Sequence, residues 1–340
     1  MKRGNAKAGC DSYLQKTVRI VFPALVVLVL GSSDLLGSML RIGSAGVGGA
    51  FLPLWVAQDK GLFKKYGLDT EVITFQGGPL AVQSLLAGGI RFHVGGTSSI
   101  IEAKIGGADV VTLGVYIDTL PYILVSSRSI TSTDQLRGKR FGVSRLGSTS
   151  DIALRVALQK LGIHPEKEAI MLGIGDQSTR FAALKAGTLD ATVISPPLTI
   201  AARKLGFNLI ASFHEAGVTW AYDSLDTTVE FARNNRQTVL NFVKGFIEAL
   251  AFIRKNKQES LDVLDKWMRL RDSESLAETY DYLLKILPQK PYPTDEGIQA
   301  ILDAVGTRNP KARKFRPRDF VDMTFLKELD RIGFLDDVFK

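Results

Sequence analysis

Cysteine is almost missing from this chain: among 340 residues there is one, Cys10. A lone cysteine forms no internal disulfide, no thiolate cage for a metal and no paired redox centre. Histidine is nearly as scarce. His93, His164 and His214 stand far apart without metal-ligand spacing, and each reads as a surface or packed residue. Nucleophile and phosphate motifs are lacking too. The nearest approach to G-x-S-x-G begins at Gly142 and Ser144 but meets Leu146 where the second glycine belongs. No lysine follows a glycine loop as in a Walker A motif, and no H-E-x-x-H occurs.

Charge of one sign is also in short supply. Lys and Arg number 43 against 35 Asp and Glu, a surplus of 8. Lys2, Arg3, Lys7, Lys16 and Arg19 against Asp11 and Asp34 account for three of that surplus within the first 38 residues, leaving five for the rest. The one short basic stretch, Lys311, Arg313, Lys314, Arg316 and Arg318, reads as a solvated face. No nucleic-acid partner is expected from such a distribution.

What the N-terminus does have is an apolar run, Ile20 to Leu30, behind a basic segment and ahead of Gly31, Ser32 and Ser33. That order reads as an export signal, so residues 1–38 are expected to be a signal peptide or N-terminal anchor and the rest to work in the periplasm or on the extracytoplasmic face. Asp34 is the only charge between Ile20 and Leu40, which keeps an uncleaved anchor as the competing reading. Cys10 precedes the run, so a processed chain would be free of cysteine.

From Leu40 the chain repeats one rhythm of strand, small-residue loop and helix. Leu40 and Ile42 begin a strand, Gly43 to Gly49 form a loop, and an apolar helix follows from about Phe51 to Lys60. A dinucleotide motif would need a third glycine where Phe51 stands. Glu71 to Phe75 is the next strand, with Gln76, Gly77 and Gly78 as its loop and Pro79 opening a helix. Phe92 and Val94 mark a third, after which Gly95 to Ser99 lead into a helix with Ser99 and Glu102 at capping-box spacing. Val110 to Val115 is a buried strand, and Tyr116 to Pro121 breaks the rhythm as a first lobe crossing.

The second set begins with Phe141 and Val143, then Gly147 to Ser150 and a helix closed by Gly162, with Ser148 three residues ahead of Asp151 as its cap. Asp176 is expected to cap the next helix and Gly187 to end it; Ser195 is expected to cap another, with Pro196 at its first position. Gly217 to Thr227 looks like the return crossing. Beyond Val229 the period is helical, with Phe242, Phe246, Leu250 and Ile253 on one stripe. The expected architecture is α/β, two lobes joined by two crossing segments: residues 39–120 plus 225–340 in lobe 1 and 121–224 in lobe 2.

Loops of this composition gather at the carboxyl ends of strands in open α/β sheets, where their amides and hydroxyls converge. They suit a small, polar, anionic ligand. The candidate binding residues of lobe 1 are Ser44, Gly46, Phe51, Gln76, Gly77, Gly78, Gly96, Thr97 and Ser98, with Asp118 and Thr119 in the crossing. Asp118 could orient a ligand amine or a water; a turn-stabilising role is the alternative. Lobe 2 contributes Gly147, Ser148, Thr149, Ser150, Gln177, Ser195 and Pro196. No catalytic residue, metal site or cofactor is expected.

Two stretches, Gly61 to Glu71 (Gly61, Leu62, Phe63, Lys65, Tyr66, Gly67, Leu68, Asp69) and Gly138 to Asp151 (Gly138, Lys139, Arg140, Gly142, Val143, Gly147, Ser148, Ser150), resemble signatures of the nitrate/sulfonate/taurine-type solute-binding proteins of ABC importers, a group that also takes in thiamine-pyrimidine synthases. Ala182, Ala183, Leu184, Gly187, Asp190, Ala191, then Ser195 to Pro197, and Pro291 to Gly297 fit a subgroup more narrowly. The chain departs from the family at Gly89 and Arg91, a turn that usually carries an acid. The resemblance implies a periplasmic-binding-protein-like fold of type II. It also implies a monomer that captures a small polar solute, anionic or sulfonate- or pyrimidine-like, between two lobes and delivers it to permease subunits with a cytoplasmic ATPase. The alternatives are an enzyme on the same fold and a periplasmic sensor subunit. The synthase branch uses a cysteine cluster, and no cysteine follows Cys10.

Overall fold

Each small-residue loop lies where a strand hands over to a helix. The computed structural model describes residues 39–340 apart from Ala216, so the expected export signal lies outside the described residues. The first run is β1 (Leu40–Ser44), a 3-10 turn (Gly49–Phe51), α1 (Leu52–Asp59), α2 (Leu62–Lys65), β2 (Thr70–Thr74), α3 (Gly78–Leu86), β3 (Phe92–Gly96), α4 (Thr97–Ile105) and β4 (Val110–Thr119). The second is β5 (Ile123–Ser126), β6 (Lys139–Val143), α5 (Thr149–Lys160), α6 (Pro165–Glu168), β7 (Ala169–Gly173), α7 (Gln177–Lys185), β8 (Ala191–Ile194), α8 (Leu198–Lys204) and β9 (Asn208–Ser212). The chain returns in β10 (Thr219–Thr228) and ends in helices: α9 (Val229–Asn234), α10 (Arg236–Lys255), α11 (Lys257–Met268), α12 (Ser273–Ile286), α13 (Asp295–Gly306), α14 (Thr324–Arg331) and α15 (Phe334–Asp337).

Two five-stranded sheets result, ordered β2-β1-β3-β10-β4 and β7-β6-β8-β5-β9. In each, the first three strands are parallel and the fourth runs against them. The orders match when β6 to β9 are laid on β1 to β4 and β5 on β10. The antiparallel strand of each sheet directly follows the last strand of the other sheet, β5 after β4 and β10 after β9, so the chain passes between halves twice.

The structure corrects the sequence reading in several places. β4 does not stop at Val115 but continues through Tyr116 to Thr119, because β10 is equally long and pairs with it to Thr219. Residues 219–224, expected in lobe 2, pair with β3 and β4 in the first sheet. Ser99 does not cap α4: the helix begins two residues earlier, with Gly96 at the N-cap. Ser195 does not cap α8 and Pro196 is not its first residue, since the helix starts at Leu198 and Gln177 Oε1 takes both the amide and the hydroxyl of Ser195. Ser148 and Asp176 do cap α5 and α7, and Gly162 and Gly187 follow their ends with positive φ.

The predicted apolar stripe of α10 is fully buried. Phe242 stacks on Phe92 of β3 with ring centroids 3.8 Å apart and on Phe63 at 5.3 Å, so α10 ties the sheet to α2. Among the described residues no helix is long and apolar enough to cross a membrane. Truncating Phe242 to Ala should lower unfolding stability by about 3–5 kcal/mol. Truncating exposed Leu205 should change it by no more than about 0.5 kcal/mol. Urea unfolding of both variants checks this; equal midpoints would refute the packing role.

Candidate functional site

A cavity lies where the carboxyl ends of the parallel strands of both sheets face each other. The first half lines it with Ala45, Gly46, Val47, Phe51, Gly78, Gly96, Ser99, Tyr222 and Asp223. The second lines it with Tyr122, Ser144, Ser148, Thr149, Ser150, Asp176, Gln177 and Arg180. It is small, about 50 Å³.

Helix starts dominate this wall. The first amides of any helix have no intrahelical acceptor and carry partial positive charge. At α5 and α7 side chains absorb part of that demand: Ser148 Oγ accepts from the Asp151 amide at 3.4 Å, and Asp176 Oδ1 accepts from the Thr179 amide at 2.8 Å. α3 and α4 are headed by glycines with no side-chain cap. The hydroxyls of Ser99 and Thr149, from opposite halves, are buried without a hydrogen-bond partner. Buried hydroxyls are normally satisfied, so two on one cavity point to a group that completes them. Glycine is needed for this approach: a Cβ on Gly78 would collide with the Ser99 hydroxyl and one on Gly96 with that of Thr149.

Besides Asp176, two buried ionisable side chains complete the wall. Arg180 is 1% exposed and donates to Gly175 O at 2.7 Å, Val193 O at 2.9 Å and Thr192 Oγ1 at 3.1 Å. All three acceptors are neutral, so its charge has no bonded counter-ion, and burial lowers its proton affinity, with Tyr122, Tyr222 and Asp176 opposing. The rings of Tyr122 and Tyr222 meet edge to face at 5.2 Å, and burial pushes both hydroxyls up. Asp223 is fully enclosed and receives one bond, from Tyr116 Oη at 3.3 Å. Burial, with Asp226 adding, pushes its carboxyl up to about 8, while the Tyr116 bond opposes.

Of the residues expected from sequence, Gly46, Phe51, Gly78, Gly96, Ser148, Thr149, Ser150 and Gln177 line the cavity. The others support it or face elsewhere. Ser44 Oγ donates to Gly46 O at 2.7 Å and shapes the first loop. Gln76 Oε1 accepts from the Asp176 amide at 3.0 Å, a bond between the halves. Gly77 is the N-cap of α3, and the Gly147 amide donates to Asp151 Oδ2 at 2.9 Å. Thr97 and Ser98 are buried in the first turn of α4 but do not line the cavity, and their hydroxyls are also unpartnered. Asp118 faces α13, where it accepts from Thr294 Oγ1 at 2.6 Å, and Thr119 meets His214 Nδ1 at 3.1 Å. Ser195 belongs to Gln177, and Pro196 lines a separate groove with Pro121 and Tyr282. Sequence reasoning missed Ala45, Val47, Ser99, Tyr122, Ser144, Asp176 as a wall residue, Arg180, Tyr222 and Asp223.

Ion pairs also join the halves around the cavity. Arg308 lies 3.4 Å from Asp151 of α5 and 3.3 Å from Glu102 of α4. On α8, Arg203 pairs with Glu278 at 3.1 Å, and Lys204 pairs with Asp272 at 3.0 Å and Glu274 at 2.8 Å. His93 is packed in the first sheet against Asp226 Oδ2 at 2.8 Å, whereas His164 and His214 are exposed.

Two α/β halves of the same strand order, meeting over a cavity at their strand ends, define a periplasmic-binding-protein-like fold of type II. The chain belongs to the NMT1/THI5-like family, whose model matches residues 49–260. YtlA of Bacillus subtilis, named as a binding protein, is 27% identical over 216 residues, 62% of this chain and 65% of YtlA, so the match spans just under two thirds of that relative's length. A Brachyspira hyodysenteriae protein named as an ABC transporter periplasmic binding protein is 23% identical over 322 residues, 85% of this chain and 88% of that protein. The alkanesulfonate-binding protein SsuA of Xanthomonas axonopodis pv. citri, solved with MOPS bound, superposes with a TM-score of 0.68 at 19% identity, over 85% of this chain and 96% of SsuA. At that identity the likeness is one of fold.

Arg180 is the wall residue whose loss should be felt most. Arg180→Met strands three acceptors and should cost on the order of 3 kcal/mol or more. Lysine, with a point charge and no planar fork, should recover little of it. Denaturant midpoints of the two variants measure this; a methionine variant as stable as the parent would show the network to be dispensable.

Proposed function

We propose that this protein is the extracytoplasmic solute-binding component of an ABC importer, closing its two halves over a small anion and delivering it to membrane permease subunits driven by a cytoplasmic ATPase. One observation carries the reading. Unpartnered Ser99 and Thr149 hydroxyls from opposite halves converge on a cavity headed by uncapped helix starts and flanked by a buried guanidinium without a counter-ion. Donors and positive potential of that kind complement an anion. The names of the relatives, a binding protein and an ABC transporter periplasmic binding protein, support transport rather than turnover.

The sulfonate bound by SsuA directs attention to sulfonates and other small oxyanions. Closure follows from the division of the donors: neither half alone satisfies the ligand, so the ligand stabilises the arrangement in which both reach it. The protein works as an exported monomer and releases its ligand unchanged.

A thermal-shift screen of methanesulfonate, taurine, sulfate, nitrate and small pyrimidines against the purified protein tests the reading. A binder stabilises the native state by RT ln(1 + [L]/Kd). For the best anion, Thr149→Val and Ser99→Ala should each weaken binding by about 1 kcal/mol, some fivefold. Ser129→Ala, on an exposed turn, should leave it unchanged. Chemical conversion of the bound anion, or equal affinity in all three variants, would overturn the proposal.

A further inference from the structure

The cavity contains an acid that a simple anion site has no reason to hold. Asp223 stands in the middle of β10 opposite Gly96, the residue that heads α4. It is 3% exposed and lines the cavity, and among the described residues Tyr116 Oη is its one hydrogen-bond partner. Among the described residues no lysine or arginine pairs with it. A carboxylate left in that state would be a buried charge without a counter-ion, which a protein avoids by keeping the proton on.

The surrounding groups reinforce this. On its own strand, Asp226 adds negative charge and is itself occupied by His93 of β3, Thr112 of β4 and Ser224. β4 presents Tyr116; Tyr122, the residue before β5, lies beside Tyr222. From α7 come Arg180, committed to backbone carbonyls and Thr192, and Asp176 at the cap. α3 and α4 bring only Gly78, Gly96 and Ser99 to the wall, and Glu296 of α13, which packs on β10, acts on Asp118.

Resting on the anion reading of this cavity, we infer that Asp223 is a specificity-determining residue that enters the bound state as a neutral acid and donates its proton in a hydrogen bond to the captured anion. The oxygen that Tyr116 donates to stays an acceptor while the other carries the proton and shares it with the anion, so no atom is transferred. Binding is thereby linked to protonation. With the carboxyl pushed up to about 8, the acid is ready at neutral pH and is lost as pH rises through that value. Above it, each anion captured must bring a proton with it, and affinity should fall by about tenfold per pH unit.

The experiment measures methanesulfonate affinity by calorimetry between about pH 6 and pH 9.5, a probe whose own charge does not change over that range. The parent should bind evenly below about pH 7 and lose affinity tenfold per unit above about 8, whereas Asp223→Asn, permanently neutral, should bind without that slope. Tyr116→Phe removes the one bond that favours the ionised form and should move the onset of the loss upward. Infrared difference spectra of parent minus Asp223→Asn, recorded without any anion, should show a protonated carboxylic acid at pH 7 that disappears as pH rises. Methanesulfonate affinity in the parent that stays level or rises between about pH 8 and pH 9.5 would overturn the inference. An ionised carboxyl at pH 7 with anion binding intact overturns it alone; a protonated carboxyl in a protein that binds neither methanesulfonate, nitrate nor sulfate overturns the anion reading beneath it.

Discussion

A full positive charge sits in the wall of the cavity, hydrogen-bonded only to dipoles, with Asp176 at the cap of α7 acting on it without a bond. Arg180 is held by two backbone carbonyls and one hydroxyl, which fix the guanidinium but leave its net charge unneutralised. Its three bonds link the loop before α7 to β8, so the same side chain that charges the cavity also sets the geometry of the second half. A nearby ionised acid would cancel the field, and the burial of Asp223 works against that ionisation. Both features follow from excluding water, since low polarity strengthens an unpaired charge and suppresses a second one.

The two halves share a strand order but not a finish. α5 and α7 carry side-chain caps, from Ser148 and Asp176, whereas α3 and α4 begin at glycines and leave their first amides open. Ser150 Oγ, on α5, meets the Ser144 amide at 2.9 Å, the Ser144 hydroxyl at 3.1 Å and the Ser148 hydroxyl at 2.9 Å. The second half therefore arrives at the cavity with much of its polar surface already arranged, and the first arrives with donors to spare. The open polar groups are weighted toward the first half, with Thr149 contributing an unpartnered hydroxyl from the second.

Much of this was legible from the chain alone, because strand, loop and helix each have a local signal. Alternation around Phe92 and Val94, the cap at Ser148, the cap at Asp176 and the stripe from Phe242 to Ile253 all depend on neighbours in sequence. Arg180 was not legible: inside a helix, next to other polar residues, it reads as a solvated arginine until the fold places β8 against it. Asp223 and Tyr222 lay in a stretch read only as a crossing, and their burial comes from β3 and β4, more than 100 residues earlier. Asp118 was misread for the converse reason. Its partner Thr294 lies 176 residues away, and nothing near Asp118 announces that the carboxylate is already engaged.

The charged pairs that join the halves have unequal standing. Arg203 is 61% exposed and its partner Glu278 38%, so water and salt screen most of their attraction. Asp151 is fully buried, and Arg308 reaches both it and Glu102. Separating the halves exposes all of these charges to the medium at once. The residence time of whatever is enclosed is thus coupled to the surroundings: dilute media favour retention, saline media favour release, and the buried end of the Arg308 contact sets how much of that retention survives when the outer pairs are screened.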